Sequence, residues 1–310
     1  MQQGDRQDEG RDGVSRDHGT LHTGDTNGVS PQVSVVVPVF NGLPHLRNLT
    51  DALLAQDFAD LEIVFSEGGS TDDSPAFLAS ITDPRVRVIT MPKGTTAAGN
   101  WTAATEAATG EFIKLICQDD LITATAISKQ VQDLQRNPEA VMAIAPRDII
   151  DAKGKVLYAK RGCSGLAEGS YPGTELIHRC YLTGTNIIGE PLAVLFRREP
   201  LLQSMPWVDS NPLMLDMMLY TKVAKLGEIV VRQESIGAFR VSSSSWSTRL
   251  AKVQREQFAR WQEDYAASLP SPPTKGERRQ ARLGMEKQAL LRRAAYRWLS
   301  MRGAFATETD

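Results

Sequence analysis

Two adjacent carboxylates, Asp119 and Asp120, are the residues of this sequence best suited to bind a metal ion. They follow the mostly apolar run 112–116, which is expected to be a buried strand. Neighbouring negative charges at the end of such a strand repel each other unless a cation neutralises them. One or two carboxylates together with phosphate oxygens usually bind Mg²⁺ or Mn²⁺. The alternative is that Asp119 caps the following helix while Asp120 is solvated, and the spacing alone supports both arrangements.

A third carboxylate, Asp216, lies in the apolar segment 212–226, for which the residue spacing and the proline at its start predict a helix. Its neighbours on the same helix face are apolar or aromatic, namely Leu213, Leu219, Tyr220 and Val223. A carboxylate at the border of a buried face is unfavourable unless it has a partner or a task. Partial desolvation also raises its pKa, as a general base requires. We predict that Asp216 is a catalytic base; the alternative is an ion-paired Asp at the edge of the core.

Alternating strands and helices are expected to position these residues. Strands are predicted at 33–40, 61–65, 86–89 and 112–116, with helices starting near Pro44 and covering 99–108. This order predicts right-handed βαβ crossovers on a parallel sheet. Ligands bind beyond the carboxyl ends of such strands, where the sequence has polar loops at 41–42, 67–70 and 118–120. The loop after the first strand is neither a GxGxxG motif nor a P-loop, which argues against dinucleotide binding.

The second half of the sequence continues the mixed pattern. The predicted elements are a helix at 124–136, a strand at 141–145, a hairpin around 151–154, a strand at 192–196, a helix at 212–227 and strands at 228–232 and 236–241. From Leu250 the pattern is helical, with a Pro-rich interruption at 270–273. We therefore expect a disordered tail (1–31), one α/β domain (32–248) and a basic helical C-terminal region (249–310).

Composition restricts the class of protein. Of 310 residues, 41% are hydrophobic and 23% charged, which is an ordinary balance for a globular enzyme. The net charge of −2 gives no bias toward nucleic acid, so no nucleic-acid partner is expected. Three cysteines without close pair spacing favour neither a disulfide framework nor a zinc site. With no hydrophobic signal core and no apolar stretch long enough to span a membrane, the chain is expected to be cytoplasmic.

The motifs together resemble family 2 glycosyltransferases of the GT-A fold. The resemblance rests on the run 35–42, the loop 67–73, the helix start at 99–100, the residues 110–112 and Gln118-Asp119-Asp120, and it covers roughly residues 33–245. It implies an α/β fold with a mainly parallel sheet flanked by helices, followed by a helical C-terminal appendage. It also implies an enzyme that uses a nucleotide sugar and a divalent cation, Mg²⁺ or Mn²⁺.

The resemblance implies a role for each matching residue. Those implied to bind the nucleotide are Pro38, Phe40, Asn41, Glu67, Asn100, Gln118 and Asp119, and the implied metal ligands are Asp119 and Asp120. The sequence departs from the family pattern at the first acidic position of the metal motif, which Cys117 or Gln118 occupies. A ribose contact by that residue is therefore in question, while both aspartates remain available to the metal. The alternatives are strand-edge packing for Pro38 and Phe40 and a surface charge for Glu67.

In the second half, an acidic residue that opens the helix around Asp216 deprotonates the acceptor hydroxyl in such enzymes, and displacement is inverting. A segment similar to 189–191 faces the acceptor, so Glu190 is implied to contact it; a plain turn carboxylate is the alternative. The family often closes a loop over the diphosphate after the last strand, which makes Arg240 a candidate counter-charge for phosphate. A Ser-rich linker at 242–245 is the competing interpretation.

The implied function is inverting transfer of a hexosyl or deoxyhexosyl group from a nucleoside-diphosphate sugar to a glycan or glycolipid, in the synthesis of cell-envelope polysaccharide or glycolipid. Two other classes remain open. A nucleotidyltransferase can share this fold, although residues 41–44 are not its Gly-rich basic segment. A non-catalytic nucleotide-sugar-binding protein is the other, and the aspartates at 119, 120 and 216 argue against it.

The C-terminal region has a charge of its own. Between Arg249 and Arg302 the sequence has thirteen Lys and Arg residues and five Asp and Glu residues. Basic residues interleave there with Leu290, Tyr296 and Trp298, a pattern that suits a helix lying on an anionic membrane surface. Such contact would be peripheral, on the inner face of the plasma membrane. The alternatives are a helix that packs on the domain and one that forms a homodimer contact.

Overall fold

A computed structural model describes residues 30–242 and 253–301, so nearly all of the tail predicted to be disordered (1–31) lies outside the described residues. The main sheet has eight strands: β1 (Val33–Val39), β2 (Leu61–Glu67), β3 (Val86–Thr90), β4 (Phe112–Leu115), β6 (Ala140–Ile144), β9 (Gly169–Pro172), β10 (Val194–Arg197) and β11 (Glu228–Val231). Their order is β3-β2-β1-β4-β10-β6-β11-β9. Only β10 and β9 run antiparallel to their neighbours, so the carboxyl ends of the other six strands meet at one edge.

Helices cover both faces of the main sheet. They are α1 (His45–Leu54), α2 (Ser74–Ala79), α3 (Ala97–Glu106), α4 (Ala126–Arg136), α5 (Gly173–Thr183), α6 (Arg198–Ser204), α7 (Leu215–Val223), α8 (Gln254–Ala267) and α9 (Lys275–Met301). Alternate residues of β1 point into two separate cores, with Val35 in the core beneath α1 and α4 and Val36 in the core that includes α5 and α7. This double burial explains the continuous β-branched run of β1.

A second, smaller sheet lies beyond the carboxyl edge of the main one. Its strands are β5 (Leu121–Ile122), β7 (Arg147–Ile150), β8 (Val156–Arg161) and β12 (Gly237–Arg240), in the order β5-β12-β7-β8. The chain enters it directly from β4, β6 and β11, which each end at that edge. The loop 116–120 between β4 and β5 is therefore held between the two sheets.

Two of the predicted elements contain a 3₁₀ turn that the sequence pattern did not indicate, and the strand β9 and the helices α5 and α6 were not predicted. The predicted helix at 212–227 is a 3₁₀ turn (Pro212–Met214) followed by α7, which ends at Val223. Beyond it, Lys225 and Leu226 donate to carbonyls three residues back, so the apolar spacing continues after the α-helix has ended. The predicted strand at 192–196 begins at Val194, because Pro191–Ala193 forms another 3₁₀ turn.

The C-terminal helices pack against the α/β domain. The side chains of Phe258, Trp261 and Tyr265 on α8 are buried in the same core as α5 and α7. The α9 backbone touches the end of α5, since a Cβ atom added at Gly184 would lie 2.1 Å from Met285 N. These contacts give the appendage a fixed place on the domain. Within the described residues, no helix is long and apolar enough to cross a membrane.

Candidate active site

The loops that follow β1 and β2 are tied into one surface. The Glu67 carboxylate accepts hydrogen bonds from Gly69 N (3.1 Å) and Ser70 N (2.6 Å). Ser70 Oγ in turn accepts from Asn41 N at 2.9 Å, and Asn41 Oδ1 accepts from Thr71 N at 2.8 Å. Asn41 adopts a left-handed conformation (φ 51°), which Asn tolerates better than most residues. Glu67 and Asn41 therefore organise the two loops, and their contact with a nucleotide stays a prediction.

Gln118 holds the end of β1 next to the end of β4. Its side-chain amide pairs with the Phe40 backbone: Phe40 N donates to Oε1 and Nε2 donates to Phe40 O, both at 2.8 Å. The Phe40 side chain stays 55% exposed. An exposed ring on a fixed backbone offers an apolar surface at the carboxyl edge of the sheet.

Pro38 and Asn100 are both buried. Asn100 Oδ1 accepts from Ser66 Oγ at 2.5 Å, and its Nδ2 donates to Val39 O at 3.2 Å. Asn100 thus joins the carboxyl ends of β1 and β2. The structure gives both residues a place in the framework beneath the loops, and a direct nucleotide contact by either stays a prediction.

Asp119 and Asp120 are brought together with Arg240 between the two sheets. Asp120 is 1% exposed, and its Oδ1 accepts from Arg240 N at 3.4 Å. Its Oδ2 has no hydrogen-bond partner among residues 30–242 and 253–301. Burial, followed by the charge of Asp119, raises the pKa of Asp120 well above its usual value. Burial also raises the pKa of Asp119, which keeps some exposed surface.

These two carboxylates fit a divalent cation. A buried carboxylate oxygen without a donor, beside a second carboxylate, is unfavourable unless protons or a cation neutralise the pair. No group of three or more His, Cys, Asp or Glu side chains suited to a metal occurs in the described part of the chain. Two protein ligands would leave further positions for phosphate oxygens and water, which is the arrangement that Mg²⁺ favours.

Arg240 braces the loop that carries the aspartates. Its Nε donates to Asp119 O at 2.9 Å, and Nη1 donates to Asp151 O at 3.1 Å and Ala152 O at 3.0 Å. Burial lowers the pKa of the guanidinium, although the charges of Asp119 and Asp120 oppose this change. Arg240 therefore fixes the 119–120 backbone; its contact with phosphate stays a prediction. The serines 243–245 lie outside the described residues.

Asp216 opens α7 and keeps part of its surface exposed. Oδ1 accepts from the backbone N–H of Met217 at 2.7 Å, and Oδ2 accepts from Asn186 Nδ2 at 3.1 Å. Burial, with a smaller contribution from the charge of Glu190, raises the pKa of Asp216 to about 7. A carboxyl group with this pKa is poised to accept a proton near neutral pH.

Glu190 forms an ion pair with Arg147, the first residue of β7. The Arg147 side chain is largely buried, while the Glu190 side chain keeps more exposed surface. The pair stands close enough to Asp216 for both charges to act on its pKa, which Glu190 raises and Arg147 lowers. The positive charge of Arg147 thus neutralises the Glu190 carboxylate at this position.

Cys117, which follows β4, is influenced by the charges of four carboxylates. Burial is the main cause that raises the pKa of the Cys117 thiol well above its usual value. The negative charges of four carboxylates raise it further: Asp120, Asp119, Asp216 and Glu190. All four carboxylates therefore act on one side chain at the end of β4. The structure assembles one acidic pair from the 119–120 loop and another from α7 and the 189–191 turn.

Sequence reasoning missed two residues of this assembly, Asn186 and Arg147. The only local signal at Asn186 is an Asn three residues before a glycine, which is typical of a turn. Arg147 lies in a short strand whose pairing could not be assigned from the sequence. Both become recognisable only when the fold brings them to carboxylates 30 and 43 residues further along the chain.

The sequence pattern described as "Glycosyl transferase family 2" matches residues 34–202, more than half of the chain. Among curated relatives, the succinoglycan biosynthesis protein ExoO of Rhizobium meliloti is 28% identical over 127 residues. That match covers 41% of this chain and 36% of the relative, so the chain aligns with little more than a third of that protein's length.

Solved structures of low sequence identity share the fold. S. aureus TarS in complex with UDP-GlcNAc aligns with a TM-score of 0.60 at 16% identity, covering 77% of this chain and 68% of that one. The mannosyltransferase PcManGT of Pyrobaculum calidifontis, in complex with GDP-Man and Mn²⁺, aligns with a TM-score of 0.58 at 17% identity, covering 85% and 70%. The GT-A fold expected from the sequence is thereby confirmed.

Proposed function

Because the chain belongs to glycosyl transferase family 2, we propose that it transfers a sugar from a nucleoside-diphosphate sugar to a hydroxyl group of a glycan or glycolipid, with inversion. The observation that carries this proposal is the buried Asp120 carboxylate, whose Oδ2 has no hydrogen-bond partner in the described part of the chain and which lies beside Asp119 beyond the carboxyl end of β4. Asp119 and Asp120 suit a metal-bound diphosphate, and Asp216 with Glu190 suits a hydroxyl nucleophile. In this proposal each reactant has an acidic pair of its own.

The donor is proposed to bind across the carboxyl ends of β1, β2 and β4. The exposed ring of Phe40 offers a face for the nucleobase, and the loops held by Asn41, Glu67 and Gln118 offer backbone groups to the ribose and phosphates. Asn100 holds the end of β1 beneath this surface, where Pro38 is also buried. The donors held by TarS and PcManGT, UDP-GlcNAc and GDP-Man, support a nucleotide sugar in general.

Asp119 and Asp120 are proposed to hold Mg²⁺ or Mn²⁺ together with the donor diphosphate. Such an ion would neutralise the paired carboxylates and stabilise the charge that develops on the leaving diphosphate. The complex of PcManGT with GDP-Man and Mn²⁺ supports a divalent cation in general. Arg240 contributes by fixing the backbone of Asp119 and by balancing the two negative charges.

Asp216 is proposed to act as the base. The acceptor hydroxyl gives its proton to the Asp216 carboxylate while its oxygen forms a bond to the anomeric carbon of the donor. The bond between that carbon and the diphosphate oxygen breaks, and the electron pair leaves with the nucleoside diphosphate. One displacement of this kind inverts the anomeric configuration. The pKa of about 7 supports this role, since the group is largely ionised just above neutral pH.

Glu190 is proposed to accept a hydrogen bond from a second acceptor hydroxyl while Arg147 holds it in place. The part that ExoO has in succinoglycan biosynthesis supports a polysaccharide or glycolipid of the cell envelope as the product. A hexosyl or deoxyhexosyl group is the proposed sugar. A cytoplasmic site of action follows from this proposal, because nucleotide sugars would supply the donor there.

Peripheral membrane contact is proposed through the outer face of α9. Leu283, Leu290 and Met301 are 55%, 69% and 72% exposed, and helical spacing puts them on one side, opposite the buried Ala281 and Met285. Three exposed basic residues flank this stripe: Arg279, Lys287 and Arg297. We call these six residues the outer face of α9.

The charge of α9 supports an anionic lipid surface as the partner. Its two acidic residues both have partners on other helices: Glu277 Oε1 lies 3.2 Å from His178 Nε2 of α5, and Glu286 forms an ion pair with Arg255 of α8. The basic residues of the outer face are thus not balanced by acids of their own helix. A stripe of apolar residues between basic ones is the pattern of helices that lie in a membrane interface. Homodimerisation through this face is the alternative.

The proposed activity is tested by incubating the protein with UDP-, dTDP- and GDP-sugars, Mn²⁺ and a lipid-linked acceptor extract. We expect release of one nucleoside diphosphate and a product heavier than the acceptor by one sugar, with neither formed by Asp216→Asn. Pyrophosphate release from a nucleoside triphosphate and a sugar phosphate would instead identify a nucleotidyltransferase. Tight nucleotide binding without turnover on any acceptor would favour a non-catalytic binding protein.

A further inference from the structure

Asn186 lies in the turn between α5 and β10, and its side chain reaches the carboxylate of Asp216. Nδ2 donates to Asp216 Oδ2 at 3.1 Å and to Gly189 O at 3.0 Å. Oδ1 accepts from Ile188 N and Gly189 N, both at 3.0 Å. The one side chain therefore makes four hydrogen bonds, of which three stay within its own turn.

These three bonds fix the orientation of the Asn186 amide. Two backbone N–H groups can be met only by the carbonyl oxygen, and Gly189 O can be met only by the NH₂ group. A flipped amide would oppose donor to donor and acceptor to acceptor at all three contacts. The turn therefore holds an N–H bond directed at Asp216 whatever the state of that carboxyl group.

We propose that Asn186 is a positioning residue for the base: its amide fixes the Asp216 carboxylate so that one face of it is directed at the acceptor hydroxyl. This inference rests on the proposed function. Oδ1 of Asp216 already accepts from Met217 N. The second bond, from Asn186 to Oδ2, therefore prevents the carboxylate from rotating about the Cβ–Cγ bond. An N–H donor also favours the ionised form, which is the form that accepts a proton.

The same turn carries the second acidic residue of the site. Glu190 follows Gly189, whose φ of +110° is rarely adopted by other residues and whose Cβ, if present, would lie 2.8 Å from Ala193 Cβ. Glu190 is held from outside the turn by Arg147. The segment 186–190 thus holds both carboxylates: Glu190 is part of it, and Asp216 is bound to it through Asn186.

Asn186→Asp tests the proposal by a change of one group. The new side chain can still accept from Ile188 N and Gly189 N, but it presents an oxygen to Asp216 where Nδ2 donated. Repulsion then favours protonated Asp216, so the acid limb of the kcat–pH profile should move up by at least about one unit. At pH 7 kcat should fall by about 10- to 100-fold, in line with the effect of a misplaced catalytic group, and donor KM should stay within threefold.

Asn137→Asp serves as the matched control, because Nδ2 of Asn137 also donates within its own segment, to Asp133 O, far along the chain from the site. We expect it to leave kcat and its pH profile unchanged. Should Asn186→Asp fail to fold, Asn186→Ala takes its place, with kcat expected to fall by about tenfold or more.

A folded Asn186→Asp variant with kcat within threefold of wild type and an unmoved acid limb would overturn the proposal. So would unchanged kcat in Asn186→Ala. Asp216→Asn separates this failure from that of the proposed function. If Asp216→Asn is inactive while both Asn186 variants behave like wild type, only the positioning role is wrong. If Asp216→Asn keeps its turnover, the base itself has been assigned wrongly.

Discussion

Replacing Asp216 by Asn removes the proton acceptor and keeps the size of the side chain. A positioned base contributes about 10²- to 10⁴-fold to a rate, so kcat should fall within that range. Donor affinity should be unchanged, because in the proposed mechanism Asp216 contacts the acceptor hydroxyl and not the nucleotide. The kcat of wild type should itself fall below pH 7, since burial raises the pKa of the base to about 7 and protonation removes its function.

The raised pKa of Asp216 also predicts that the free energy of unfolding falls as the pH rises, which is opposite to the effect of most carboxylates. An aspartate with its usual pKa in the unfolded chain releases its proton near pH 4, whereas folded Asp216 retains it until about pH 7. The folded state therefore binds more protons between these values, and stability falls as pH rises through them. From pH 5 to pH 8 this loss is at most about 3 kcal/mol, and solvent contact of the partly exposed carboxylate reduces it.

Asp216→Asn should abolish that loss. The new amide can still accept from Met217 N, but it presents a donor to Asn186 Nδ2, which costs about 1 kcal/mol at every pH. The test is therefore how the difference in free energy of unfolding between the variant and wild type changes from pH 5 to pH 8. Urea unfolding at both pH values should show the variant gaining about 1–3 kcal/mol relative to wild type on going to pH 8.

Asp209→Asn is the matched control, since it makes the same chemical change at an exposed carboxylate just before α7. It should change neither kcat nor the pH dependence of unfolding. Turnover by Asp216→Asn above about a third of wild type would refute the base assignment. A stability difference that is equal at pH 5 and pH 8 would refute the reasoning about its burial.

Three further predictions follow from other parts of the structure. Lys114→Met should lower the free energy of unfolding by about 3 kcal/mol or more, measured by urea unfolding. The buried Nζ donates to Gln130 Oε1 and to two backbone carbonyls, and all three would lose their donor. A loss below about 1 kcal/mol would contradict this. Glu67→Ala should weaken UDP or GDP binding by about tenfold in calorimetry, since two loop N–H groups lose their acceptor, and unchanged affinity would show that the loop does not depend on it. Changing the three basic residues of the outer face of α9 to Glu should reduce sedimentation with phosphatidylserine vesicles at low salt, whereas the same change at three exposed basic residues elsewhere should not: Arg136, Lys153 and Lys225.

The first half of the fold could be predicted because its signals are local. The run of β1 is buried on both faces and therefore apolar throughout, and the polar residues at 41, 67 and 118–120 lie where the strands end. The sequence also indicated Asp216, because a carboxylate beside Leu219 and Tyr220 interrupts an otherwise apolar helix face.

The parts that sequence reasoning missed depend on contacts between distant segments. The bonds between the Gln118 amide and the Phe40 backbone could not be predicted, because they require β1 and β4 to be neighbours. A nucleotide contact by Gln118 stays a prediction. The C-terminal helices were predicted as an appendage, with packing on the domain as one alternative. Their burial depends on Phe258 and Trp261, which the charged residues around them conceal in the sequence pattern.

Metal-dependent nucleotide binding tests the central claim most directly. UDP, dTDP and GDP are titrated into the protein by calorimetry with Mn²⁺ or with EDTA, using wild type, Asp216→Asn and the double variant Asp119→Asn with Asp120→Asn. We predict that one nucleotide binds to wild type and to Asp216→Asn in Mn²⁺ only, and that the folded double variant binds it at least about 100-fold more weakly, as expected when two charged ligands of the ion are lost. Equal affinity in Mn²⁺ and EDTA, or full affinity in the double variant, would contradict a donor site built on these two aspartates.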